Sequence, residues 1–180
     1  EASPKFSMTT YTYKTVEQLK IQADVYRHSD AVRRPVIVWL HGGALIMGSR
    51  SGVPMQLQKL AQEQGFVLVS LGYRLAPEAQ LPEIIEDLKD GLKWVRVTGP
   101  DLFHVDPSRF VVAGASAGGY LALMSGIVAD PAPKAIVSYW GFGDVDGDWT
   151  TQPAEGYRKG KLIEKDVAWS GVGGQVVTST

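Results

Sequence analysis

The residues with the clearest chemical purpose are Gly114-Ala115-Ser116-Ala117-Gly118, a G-x-S-x-G spacing. A serine flanked by small residues can occupy a sharp turn, because nothing bulky crowds the strained backbone and the hydroxyl is left exposed. The surroundings predict that turn: Phe110–Ala113 reads as a strand before it, and Gly119-Tyr-Leu-Ala-Leu-Met124 as a helix after it. The first N–H groups of such a helix face negative charge developing on an attacked carbonyl oxygen. About seventy residues earlier, His41-Gly42-Gly43-Ala44 follows a second apolar run. Small residues after a strand let backbone N–H groups approach the same anion. The chemistry these two stretches suit is nucleophilic attack by a serine on a carbonyl carbon.

Elements able to position these groups alternate along the chain. Residues 9–15 and 18–27, rich in Thr, Tyr and Val, read as an antiparallel strand pair. Pro35–Leu40, Phe66–Leu71, Phe110–Ala113 and Ala135–Tyr139 are short, almost unbroken apolar runs, as expected of strands buried on both faces. Leu57, Leu60 and Ala61 mark one helix between them. Leu81, Ile84, Ile85, Leu88, Leu92 and Val95 mark a stronger one, with Glu83, Glu86 and Asp87 placed early to suit its dipole. Strand–helix alternation of this kind predicts an α/β fold with a mostly parallel sheet flanked by helices. Over residues 140–180 glycine and tryptophan rise and strand signals fade. Residues 1–140 are therefore expected to form the core and 141–180 a separate layer or the start of a lid.

Four stretches together carry a family resemblance: His41-Gly-Gly-Ala44, Gly72-Tyr-Arg-Leu-Ala-Pro-Glu78, Asp106-Pro-Ser-Arg109 and Gly114-Ala-Ser-Ala-Gly-Gly119. In this order they resemble the hormone-sensitive-lipase-like esterases of the α/β-hydrolase superfamily, in their N-terminal part only. The resemblance implies Ser116 as nucleophile, with the N–H groups of Gly43, Ala44 and Ala117 as the oxyanion hole and Gly42 shaping the turn. It also implies that residues 73–78 brace the site, with Glu78 a structural acceptor. Two positions depart from the family pattern: Ala44 replaces the third glycine, and Ala115 replaces the acid that commonly precedes the nucleophile. The implied activity is cleavage of small, fairly apolar carboxylic esters through an acyl-enzyme, with no cofactor. The competing reading is a small-molecule-binding module that has kept the pocket and lost the chemistry.

Serine needs a base, and the base an orienting carboxylate. In this fold both follow the serine, acid first and histidine last. The 64 residues after Ser116 hold seven acids and no histidine; His28, His41 and His104 all precede it. The family sheet has eight strands and six are found. The expectation is a nucleophile and an oxyanion hole without a triad acid or histidine, in a truncated chain, a proteolytic fragment or one part of a complex. Ala135–Tyr139 would then be a bare apolar edge.

The remaining signals are weaker. Asp144-Val-Asp-Gly-Asp148 with Glu155 imitates a calcium loop, but Trp149 stands where the loop needs glycine, so an acidic loop is expected and no metal. Trp140, Trp149 and Tyr157 are candidates for an apolar substrate pocket, or for packing between lid and core. Lys159, Lys161 and Lys165 read as a solvated face. The formal charge of −1 offers no field for nucleic acid or an anionic membrane. No run of 18 apolar residues is present to span a bilayer. The absence of cysteine fits a reducing, cytoplasmic setting. Glu1-Ala2-Ser3-Pro4-Lys5 lack the order of a secretory signal, and Met8 before Thr-Thr reads as a natural start that would make residues 1–7 a leader.

Overall fold

The computed structural model describes residues 4–145, 147–148, 152, 155–160 and 163–180, apart from the side chains of Tyr157 and Arg158. Six strands, β1 (Phe6–Val16), β2 (Leu19–His28), β3 (Arg34–Leu40), β4 (Val67–Leu71), β5 (Val105–Ala115) and β6 (Ala135–Tyr139), form one sheet in the order β1-β2-β4-β3-β5-β6. The pairs β1–β2 and β2–β4 are antiparallel, and the run from β4 through β3 and β5 to β6 is parallel. Around it lie α1 (Met55–Gln64), α2 (Leu81–Val97), α3 (Gly99–Leu102) and α4 (Ala117–Val128). The short helices α5 (Glu155–Arg158) and α6 (Lys165–Trp169) follow.

Strand β3 explains the layering. Its even positions Val36, Val38 and Leu40 pack with Leu88 and Leu92 of α2 and Leu121 of α4. Its odd positions Ile37 and Trp39 pack on the other face with Ala61 of α1, Leu68 and Ala113. A strand apolar at every position therefore has a layer to meet on each side. Each such side chain contributes about 1.5–3 kcal/mol on burial.

Helix α2 carries its apolar face at Ile84, Leu88, Leu92 and Val95, and Gln80 and Glu83 form a capping box at its start. One expectation needs correction here. Asp87 does not serve the helix dipole from the solvent side. Its side chain is fully buried, paired with Arg74 and Lys14. The carboxylate occupies a core-facing position and is tolerated because two cations and the Arg74 N–H saturate it.

The loops that follow β3, β4, β5 and β6 all leave from the carboxyl edge of the parallel strands. After β3 the chain turns to α1 on one face; after β5 it turns to α4 on the other. The point between β3 and β5 is therefore a topological switch, where open α/β sheets form their ligand crevice.

Candidate active site

Ser116 stands at that switch, between the end of β5 and the first turn of α4. Its backbone has φ 54° and ψ −119°, a conformation costly for any residue with a side chain. The Ser116 N–H donates to the Tyr139 carbonyl at 2.9 Å, tying the turn to the end of β6. The flanking glycine is obligatory: a Cβ at Gly118 would lie 2.0 Å from the Leu40 carbonyl oxygen. The sequence expectation of a sharp strand–turn–helix around the serine is thus met. Ala117, buried, is the first residue of α4, so its N–H has no intrahelical acceptor.

The turn expected to supply the other donors passes directly beside the serine. A Cβ built on Gly42 would fall 3.3 Å from the Ser116 Cβ and 2.9 Å from the Ala115 carbonyl oxygen. Gly43 then adopts φ 122°, and Ala44 and Leu45 follow at 54° and 65°, in the left-handed region. Two consecutive non-glycine residues there store strain. The turn is closed by Ile46 and Met47, whose N–H groups donate to the Gly43 carbonyl at 2.9 and 3.0 Å. Gly42, Gly43, Ala44, Ala117 and Ser116 are therefore gathered at one end of β3 and β5.

The histidines are not gathered with them in a basic role. His28 ends the antiparallel strand β2, at the amino edge of β4, and its ring faces the Pro4 and Gln62 carbonyls at 3.1 and 2.9 Å. His104 precedes β5, and its carbonyl accepts from Arg34 at the start of β3. Both belong to the edge opposite Ser116. His41 is near but buried, with its ring stacked on Tyr73 at 4.2 Å between centroids. Burial pushes its pKa below the ordinary 6.5, although the contact with the Gly42 carbonyl pulls the other way. Of the acids after the serine, Asp146 lies outside the described residues, as do Trp149 and the side chain of Tyr157. Among the described residues no group of three or more acidic or histidine side chains is placed to hold a metal.

Beside the serine runs an apolar groove of about 500 Å³. Trp39, Pro54, Leu57, Leu60, Ala115 and Tyr139 line it, and Trp140, largely exposed, stands at its rim. Only Trp140 of the three expected pocket aromatics is thereby placed.

Two supports were not foreseen. Arg74 donates to both carboxylate oxygens of Asp87 at 2.8 and 2.9 Å and reaches Glu83 and Glu86, while Lys14 reaches Asp87, Glu86 and Asp90. This network fixes residues 72–78 against α2. Arg50 donates to buried Asp24 at 3.0 Å, and Ser70 donates to the Arg50 carbonyl at 2.7 Å, fixing the far end of the loop after β3. A charged residue in an apolar helical face, Asp87, was the available signal for the first. The second joins positions far apart in sequence and left none.

Among the described residues no helix is long and apolar enough to cross a membrane. The BD-FAE family model matches residues 23–165. Among solved structures, the hyperthermophilic esterase from the archaeon Pyrobaculum calidifontis is 38% identical with a TM-score of 0.61, over 69% of this chain and 40% of that one. A bacterial heroin esterase is 29% identical with a TM-score of 0.58, over 64% of this chain and 37% of that one. Thermogutta terrifontis esterase 2, in a form phosphoramylated by tabun, is 28% identical with a TM-score of 0.57, covering 66% and 46%. Among curated proteins, the non-reducing polyketide synthase nvfA of Aspergillus novofumigatus is 33% identical over 84% of this chain, and the chain spans only 7% of its length. The non-reducing polyketide synthase atr1 of Stereocaulon alpinum is likewise 33% identical, over 77% of this chain and 6% of the synthase.

Proposed function

The chain belongs to the BD-FAE family of α/β-hydrolase-fold esterase domains, and from that premise we propose that it carries the nucleophile half of a serine carboxylesterase site. Ser116 Oγ attacks the carbonyl carbon of a small apolar ester as a base removes its proton. The carbonyl oxygen takes the negative charge and is held by the N–H groups of Gly43, Ala44 and Ala117. The C–O bond to the alcohol then breaks, the alcohol leaves with a proton, and water hydrolyses the acyl-serine. The base and its orienting acid come from residues outside these 180, in the same polypeptide or a second chain. The reading also assigns residues 1–140 to the core and 141–180 to the start of a lid.

The observation that carries the reading is the pairing of a strained Ser116 turn with the Gly42–Gly43 turn beside it. If only the base is wanting, a small base in solution can replace it. Imidazole should therefore accelerate p-nitrophenyl acetate hydrolysis by this chain, beyond the rate that imidazole gives with the Ser116→Ala protein. Equal rates for the two proteins would remove the reading.

A further inference from the structure

We propose that Tyr73 and His41 form a latch that sets the direction of the Gly43 N–H, so that Tyr73 acts as a positioning residue through His41. The proposal rests on the oxyanion reading above, but the geometry stands apart from any catalysis. Tyr73 is fully buried, and its ring lies almost parallel to the His41 imidazole, with 8° between planes. Its hydroxyl donates to the His41 carbonyl at 2.7 Å. The ring is thereby held on one side and the backbone of the same residue on the other.

The Tyr73 hydroxyl oxygen also lies 3.3 Å from His41 Nδ1, but its O–H is already donated to the His41 carbonyl. Nδ1 lies 2.8 Å from the Gly42 carbonyl oxygen. A carbonyl only accepts, so Nδ1 carries the proton and donates. The opposite tautomer would set a lone pair against the carbonyl oxygen and leave a buried Nε2–H. Nε2 has no partner among the described residues, so as an N–H it would forfeit a donor and as a bare nitrogen only an acceptor. The neutral Nδ1–H form is the one this site admits.

The consequence reaches the oxyanion hole through one peptide plane. The Gly42 carbonyl and the Gly43 N–H belong to the same trans peptide and point in opposite directions. Drawing the carbonyl toward the imidazole turns the Gly43 N–H away from it. Gly48 closes the arrangement: it sits at φ 96°, and a Cβ there would lie 2.5 Å from the Gly42 oxygen and 2.8 Å from His41 Nδ1. Tyr73 in turn is carried on the strand-end loop that Arg74 and Asp87 hold to α2. The latch thus transmits the rigidity of a buried ion pair to a donor that must be aimed before substrate arrives.

Nitrogen-15 NMR of the ring nitrogens in this chain tests the latch without requiring activity, so the result is separate from the fate of the esterase reading. The expected spectrum has His41 Nδ1 protonated and Nε2 bare at neutral pH, with slow exchange of the Nδ1 proton. Tyr73→Phe keeps the stacked ring and loses the hydroxyl. It should move the Gly43 amide resonance and speed that exchange roughly fivefold or more, the worth of one hydrogen bond, with the β-sheet resonances unchanged. A protonated Nε2 in the unaltered protein would overturn the proposal, and so would a Gly43 amide unmoved in a folded Tyr73→Phe. The tautomer is read in the unaltered protein, so a variant that fails to fold leaves that arm decisive.

Discussion

The two edges of the sheet are built differently. At the β1 edge the strand breaks register at Thr12/Lys14, an irregularity that discourages further pairing. Behind it Tyr11, Tyr13, Trp94 and Phe103 pack together, and the Lys14–Asp87–Arg74 network joins strand, helix and loop. The β6 edge has neither device. Val137 and Tyr139 on one face, and Leu123 and Ile127 of α4 on the other side of the sheet, are exposed, with Trp140 and Phe142 just beyond. Ser116 sits between these regions. The Gly42–Gly43 turn beside it is braced by Tyr73 after β4, on the β1 side, and the Ser116 N–H is tied to the carbonyl of Tyr139 on β6. The difference teaches that the turn beside Ser116 is fixed by the better-packed side of the sheet, whereas the groove beside it opens toward the exposed side chains of β6.

Substitutions on the two sides should separate them. The largest loss is expected from Asp87→Ala, which strands Arg74 and Lys14: about 3–5 kcal/mol in urea unfolding. A change under 1 kcal/mol would mean that the network is ornamental. Next comes Gly118→Ala at the junction of the two regions, where the added methyl meets the Leu40 carbonyl, with roughly 1–3 kcal/mol lost in the same measurement. A smaller effect should follow pH. The unfolded His41 ring takes up a proton near 6.5 and the folded ring resists it, so unfolding takes up a proton in that range and stability falls as pH drops below 6.5. His41→Gln should flatten that slope in melting curves recorded from pH 7 downward; an equally steep slope would acquit His41. The smallest change in stability belongs to the β6 edge. Val137→Thr should alter unfolding by no more than about 0.5 kcal/mol. A core-sized loss would show that face to be covered.

Much of this was legible in the sequence because it is local. The apolar runs ending at Leu40, Leu71, Ala113 and Tyr139 are strands, and the glycines around Ser116 fall where the backbone has no room for a side chain. Periodicity also located α2, since its apolar face repeats at the helical spacing. What stayed hidden depends on through-space pairing. Strand β4 lies between β2 and β3, an order that apolar runs do not encode. Asp87 looked like a helix-dipole residue because charge is normally solvated; only the approach of Arg74 and Lys14 makes its burial tolerable. The stack of Tyr73 on His41 joins residues 32 apart in the chain, brought together by the parallel pairing of β3 and β4.

The central proposal is that Ser116 is a nucleophile beside an anion-binding turn and that its base is not among these 180 residues. Intact-mass analysis after exposure to a reactive organophosphate, with and without imidazole, addresses it most directly. The account predicts one adduct, mapping to Ser116, that forms rapidly only with imidazole and is absent from Ser116→Ala. Rapid labelling of Ser116 without imidazole would place the base within this chain, and labelling at another residue would remove Ser116 from its role.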